Sequence, residues 1–195
     1  MKTLQSSSQA EITVKGSRFL SFAYPVRDAQ SALDWVSVHK QEHPKARHWC
    51  YAYRLGIDGA DYRANDDGEP SGTAGLPILQ QIQSFELSNT AVVVVRYFGG
   101  TLLGVSGLIK AYKQSAREAL LLASLETMVE QKRFVVRCAY AEISALLGLL
   151  KRYEAEVTHQ SIDLEASFEI SLPKESALGL QSALRERFYE VIALD

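Results

Sequence analysis

Five consecutive apolar residues, Ala91-Val92-Val93-Val94-Val95, constrain this chain more than any other feature. The run is strand-sized, rich in β-branched side chains and free of polar alternation, so neither face of such a strand can meet water. It predicts a central strand over Ala91 to Phe98. No run in the chain approaches the roughly 18 apolar residues of a membrane-spanning helix. With 195 residues there is room for one large domain or two small ones.

Glycine marks where the chain changes character. Nine of the twelve glycines fall between Gly56 and Gly107, which places the sharp turns and close approaches in the first two-thirds. There, Ile12 to Lys15 and Phe19 to Val26 predict a hairpin turning at Gly16-Ser17. Asp28 reads as the N-cap of a helix carrying Ala29, Ala32, Leu33 and Val36 and stopped by Pro44. His48 to Arg54 is strand-like, Thr73 to Phe85 helical, and Leu108 to Leu125 the longest helix.

Beyond Gly107 the pattern is regular. Phe134, Val136 and Cys138 alternate as in a half-buried strand, and Ile143, Leu146, Leu147 and Leu150 follow helical spacing. Val157 to Ile162 and Leu164 to Leu172 predict two strands. A helix after Pro173 carries Ala177, Leu180, Leu184 and Phe188, and Tyr189 to Leu194 is a closing strand. The order βαββαβ is the ferredoxin-like arrangement. The fold class is α+β, with a mixed α/β domain over 1–130 and a ferredoxin-like domain over 131–195.

Composition excludes several functions. Apolar residues at 47% and charged residues at 23% describe a globular chain, not a disordered or collagen-like one. Twenty-one basic against 23 acidic residues leave a net charge of −2, so nucleic acid can be held only by a local basic patch. Cys50 and Cys138 are too few for a disulfide scaffold or a zinc cage. The Ser-rich start, Met1 to Ala10, lacks the apolar stretch of a secretory signal. The expected setting is cytoplasmic, away from membranes.

Three segments have the composition of a site. In Lys45 to Arg54, aromatics interleave with arginine, which suits base stacking; packing of Trp49, Tyr51 and Tyr53 into the core is the favoured reading, leaving Arg47 and His48 as ligand candidates. Asn65 to Gly75 holds Asp66, Asp67, Glu69, Ser71 and Thr73 among three glycines, and predicts an ordered loop leading into a helix capped by Ser71 or Thr73. Its acids fit no EF-hand spacing, and a Ser71–His48–Asp67 triad has no motif behind it. Arg96 to Gly107, followed by Lys110, is a glycine-rich strand–loop–helix of the kind that cradles phosphate. Val105 stands where a Walker-A lysine belongs, which argues against nucleotide hydrolysis. Lys110, Lys113 and Arg117 share one helix side, most simply a solvated face.

A fourth match is set aside. His39-Lys40-Gln41-Glu42-His43 fits the H-x-x-E-H pattern of a zinc peptidase family. Pro44 follows at once and is expected to fray the helix that would present both imidazoles, and no third ligand is evident.

Ser17-Arg18-Phe19, Lys45 to Arg54, the string Asp66-Asp67-Gly68-Glu69-Pro70-Ser71-Gly72-Thr73-Ala74-Gly75, and Arg96 to Tyr112 together resemble the YigZ/IMPACT family, its bacterial branch in particular. The Asp66–Gly75 string is highly specific. Ser106 and Lys110 depart from the glycine and arginine frequent there. The resemblance implies that 1–130 shares the fold of a small-subunit ribosomal protein and of domain IV of elongation factor G, and that 131–195 is similar to that factor's domain V. It implies translation-linked work too, since eukaryotic relatives regulate translation without catalysis by binding a protein activator of a stress kinase.

The expectation is therefore a non-enzymatic, translation-linked regulator that uses no cofactor or metal. Arg47, His48, Arg96 and Lys110 would contact an RNA or ribosomal backbone, with Gly99 and Gly100 permitting close approach. A translation-associated protein docking on Asp66 to Gly75 is a further partner. The alternative activity is an enzyme acting on a small phosphorylated or nucleotide-like substrate through the Asp66–Thr73 and Gly99–Gly107 loops. These readings require the two loops to lie side by side around a positively lined pocket.

Overall fold

In a computed structural model, which describes residues 1–163, 165–187 and 189–194, the α+β chain divides into units of residues 1–128 and 129–195. The first unit runs β1 (Lys2–Leu4), β2 (Ser8–Val14), β3 (Ser17–Pro25), α1 (Ala29–Glu42), β4 (His48–Leu55), β5 (Asp61–Asn65), α2 (Gly75–Ser84), β6 (Thr90–Tyr97), α3 (Gly104–Leu121) and β7 (Leu125–Thr127). Its five-stranded sheet has the order β2-β3-β6-β4-β5, every neighbour antiparallel. β1 and β7 form a separate ribbon.

The apolar run lies mid-sheet. Val92 and Val94 of β6 pack with Ile78, Ile82 and Tyr112 from α2 and α3, while Val93 and Val95 pack with Ala32 and Val36 of α1. Helices on both faces explain a strand without alternation even though its neighbours are antiparallel. Trp49, Tyr51 and Tyr53 join the α1-side core, so core packing accounts for them. Asp28 caps α1: its Oδ1 accepts from Ser31 N at 2.7 Å and Ser31 Oγ at 2.6 Å.

Several boundaries differ from expectation. β1, β5 and β7 are short and carry few buried side chains, so they leave no apolar pattern to read. α3 starts at Gly104 rather than Leu108 and ends at Leu121 rather than Leu125, which turns Val105, Ser106 and Gly107 from loop into a first helical turn. Its buried stripe includes Leu108, Ala111, Tyr112, Ser115, Ala116 and Ala119, mostly small residues that let the helix lie close to the sheet. Lys110, Lys113 and Arg117 are exposed on its other side.

The close approach at Gly99 serves the fold itself. A Cβ there would stand 1.9 Å from Gly16 C and 2.2 Å from Ser17 N. Lys15 and Gly16, at φ 46° and 81°, make the tight turn between β2 and β3, one residue earlier than expected. The glycine loop after β6 therefore rests directly on that turn.

The second unit runs β8 (Gln131–Cys138), a 3₁₀ turn (Tyr140–Glu142), α4 (Ile143–Arg152), β9 (Glu156–Ile162), β10 (Ala166–Pro173), α5 (Lys174–Glu186) and β11 (Glu190–Leu194). The sheet order is β11-β8-β10-β9, all antiparallel. Phe134, Val136, Phe168 and Ile170 share one core with Leu146 and Leu150 of α4 and Leu180 and Leu184 of α5. Leu147, expected in that stripe, is 41% exposed; the buried face is rotated toward Leu149. The expected positions of Leu164 and Phe188 lie outside the described residues.

These contacts predict opposite outcomes for two glycine substitutions. Gly99→Ala drives a methyl into backbone and should lower stability by at least the ~1–3 kcal/mol typical of overpacking. Gly148→Ala, exposed within α4 with nothing within 4 Å of the added carbon, should raise it by ~0.5–1 kcal/mol. Urea denaturation of the full chain measures both.

Candidate functional site

The loop after β5 is built on Asp66. Asp67 and Gly68, at φ 43° and 86°, turn the chain, and Glu69 N donates to Asp66 O at 2.9 Å; two successive residues at positive φ are what an Asp-Gly pair supplies. The Asp66 carboxylate accepts from Gly72 N, Ala74 N and Gly75 N at 2.8, 2.9 and 2.8 Å. Asp66 therefore caps α2, in place of the expected Ser71 or Thr73. Ser71 is exposed, and Thr73 Oγ1 donates to Pro70 O at 2.6 Å. With a carboxylate already on its first N–H groups, the α2 N-terminus is closed to an outside anion.

The other acids of the loop are engaged as well. Asp67 Oδ2 accepts from Trp49 N at 2.8 Å, and its Oδ1 accepts from Lys40 Nζ at 3.2 Å. Glu69, only 8% exposed, accepts at Oε1 from Arg96 Nη1 at 2.6 Å and Tyr112 Oη at 2.7 Å. Buried carboxylates and guanidinium groups are tolerated in such pairs because each satisfies the other's charge. Asp66, Asp67 and Glu69 each have protein partners, so the loop's acids already do structural work.

The two loops do meet, and a cleft of about 460 Å³ opens where they do. Its polar end is Arg47, His48, Glu69 and Arg96; its walls are Pro70, Phe98, Leu102, Leu103, Val105 and Leu108. The wall is mainly apolar, where a positive lining was expected. Arg96 is 5% exposed and committed to Glu69, with Nη2 also donating to Ser17 Oγ at 3.4 Å. Lys110 is not a lining residue: two positions beyond Leu108, it lies about 200° further round α3. Gly99 packs on Gly16, whereas Gly100, at φ 84°, has open space around its α-carbon. Arg47 is exposed and, among the described residues, is the cation of the polar end without a side-chain partner.

His48 has a defined tautomer. Its Nδ1 lies 2.9 Å from the Asp67 carbonyl oxygen, which can only accept, so Nδ1 carries the proton. In the neutral ring Nε2 then offers a lone pair, 3.8 Å from Glu69 Oε1. Asp67 gives His48 its carbonyl rather than its carboxylate and Ser71 faces solvent, so no triad forms. Behind them, Cys50 Sγ lies 3.3 Å from Tyr112 Oη and 3.0 Å from Asp66 O. Burial pushes the Cys50 thiol far above its ordinary range, the Tyr112 hydrogen bond only partly opposing this, and burial raises the Tyr112 hydroxyl too. Such a thiol stays protonated and is no nucleophile.

Phe98, Leu102, Leu103, Val105 and Leu108 escaped the sequence reading as site residues. The one signal for them was that apolar side chains follow the Gly99-Gly100 pair where a phosphate loop would carry polar ones. α3, whose Gly104 and Val105 border the cleft, has no capping hydrogen bond from its N-cap residue Leu103, so its first N–H groups can take a ligand.

Two outcomes test this arrangement. Glu69→Gln and Arg96→Met should each cost about 3 kcal/mol in urea denaturation, and the double variant clearly less than their sum, because the unpaired charge is what is expensive. Cys50 should resist iodoacetamide at pH 8 in the folded protein and react once it is unfolded, with peptide mass mapping as the readout.

Residues 15–120, more than half of the chain, match the Impact N-terminal domain. A Haemophilus influenzae protein named IMPACT family member is 34% identical over 179 residues, covering 91% of this chain and 87% of its own length. The Escherichia coli IMPACT family member YigZ is 32% identical over 175 residues, covering 89% and 86%. A crystal structure of a hypothetical protein, 27% identical, matches with a TM-score of 0.77 over 100% of this chain and 97% of its own. The chain belongs to the IMPACT family.

Proposed function

We propose that this protein is a translation-linked regulator that acts by binding, and that the cleft receives a segment of a partner protein carrying an apolar side chain beside an acidic group. The observation that carries this reading is the cleft's composition. Phe98, Leu102 and Val105 are 44%, 83% and 61% exposed, and contiguous exposed apolar groups beside a concavity fit a protein partner. Arg47 and the uncapped start of α3 favour an anionic group at the polar end. A grip on nucleic-acid backbone needs several unpaired cations, and Arg96 is already neutralised by Glu69. The translation link rests on the family and on the role its eukaryotic members have.

The finer kinships of fold belong to the same proposal. The order β11-β8-β10-β9 with both helices packed into one core supports a ferredoxin-like second domain similar to domain V of elongation factor G. The first domain, 1–130, would correspond to that factor's domain IV and to a small-subunit ribosomal protein.

A second reading is catalytic. His48 Nε2, with its lone pair freed by the Asp67 carbonyl, is placed as a general base at the mouth of the cleft. A small phosphorylated substrate would then put its anion on Arg47 and α3.

Affinity capture of the full chain and of Leu102→Asp, after nuclease treatment, separates these readings. The binding proposal expects one stoichiometric translation factor or ribosomal protein, absent from Leu102→Asp and retained by His48→Gln. A partner with no part in translation would end the translation link. Association that vanishes with nuclease and ignores Leu102→Asp would replace the protein partner with RNA. Turnover of a phosphorylated metabolite that His48→Gln abolishes would establish the enzyme.

A further inference from the structure

The motif set aside on sequence grounds becomes a different object once folded. α1 continues through Glu42, with His43 as its C-terminal cap residue, so Pro44 ends the helix only after both imidazoles are in place. Spacing of three and four residues puts His39, Glu42 and His43 on one side of that end. Their ligand-capable atoms all lie within 4.8 Å of one another. Glu42, overlooked as the third ligand, has Oε2 3.1 Å from His39 Nδ1. Two donors on one tetrahedral zinc, at bonds of about 2.0–2.1 Å, stand about 3.3 Å apart.

The imidazoles are held as metal ligands usually are. Tyr24 Oη lies 2.9 Å from His39 Nε2, and Tyr97 Oη lies 3.0 Å from His43 Nδ1. Each ring thus gives one nitrogen to a tyrosine hydroxyl, which sets the ring's direction, and where that hydroxyl accepts, the opposite nitrogen carries a lone pair for a metal. Phe22 stacks on His39 with ring centroids 3.9 Å apart. His39 is 2% exposed, and its Nδ1 has no in-line hydrogen-bond partner among the described residues, the Glu42 oxygen 3.1 Å away forming an ion-pair contact only with a protonated ring. A buried ring nitrogen facing a carboxylate without bonding it is unfavourable unless something binds both.

We propose that His39 Nδ1, Glu42 and His43 Nε2 form a binding site for a divalent transition ion of the zinc type, with a fourth position open to water. Two imidazoles and one carboxylate are a donor set that zinc accepts. Glu42 acts as a ligand here, unlike the glutamate of the peptidase pattern, which serves as a base. The site uses the α1 side of the sheet. Arg96 and Tyr97, consecutive on β6, point to opposite faces, so it is separate from the cleft.

Calorimetric titration of Zn²⁺ into the chelator-stripped full chain tests this. One ion should bind per chain; Glu42→Gln and His43→Gln, which alter groups near the surface, should each weaken binding by more than about tenfold, and Tyr97→Phe by about tenfold. His159→Gln should leave it unchanged. In histidine side-chain ¹H–¹⁵N spectra, Zn²⁺ should move His39 Nδ1 and His43 Nε2 and leave the His48 and His159 signals in place. Absence of stoichiometric binding, undiminished binding in Glu42→Gln and His43→Gln, or shifts confined to His48 or His159 would overturn the assignment.

Discussion

A carboxylate with almost no access to water survives in this fold because two donors converge on one of its oxygens. Glu69 takes a proton donor from Arg96 on β6 and another from Tyr112 on α3. That single point ties the loop after β5 to the central strand and to the longest helix. The loop's own shape comes from Asp66, which gathers three backbone N–H groups around its carboxylate. Without these two acids, the segment from Asp66 to Gly75 would have neither a fixed path nor a helix start to lead into.

The consequence for recognition is that charge is spent inside the protein. A buried arginine facing a cleft reads at first as an anion site, yet its field is cancelled by the carboxylate beside it. What the cleft offers outward is hydrocarbon from Phe98 and the start of α3, with Arg47 at one end. For the proposed partner, burial of these apolar side chains would supply affinity and the exposed Arg47 orientation.

Much of this was legible from residue order. Val92 to Val95 announced a strand with two covered faces, Asp28 announced a helix start, and the alternation of Phe134, Val136 and Cys138 announced the second core. Each is a local pattern whose meaning does not depend on distant partners. The misreadings share the opposite cause. Ser71 and Thr73 stand where a local cap belongs, but an aspartate nine residues from Gly75, as good a cap by type, reached the same N–H groups once the loop closed. Arg96 looked free because Glu69 is 27 positions away. Gly99 looked like a ligand contact because nothing near it in sequence points to Gly16. Pro44 does end the helix, which stops at Glu42, but His43 is still held to its last turn through the bond from His43 N to His39 O.

The packing of Gly99 on the turn at Gly16 has a practical meaning. Two-residue hairpins at a surface are ordinarily where a polypeptide accepts foreign sequence, so engineers place epitopes and fusion junctions there. Here the backbone of that hairpin is the floor on which the glycine loop sits. A tag spliced between β2 and β3 would lift the loop and distort the cleft far along the chain, whereas the exposed bend at Ile57-Asp58 is the safer place for one.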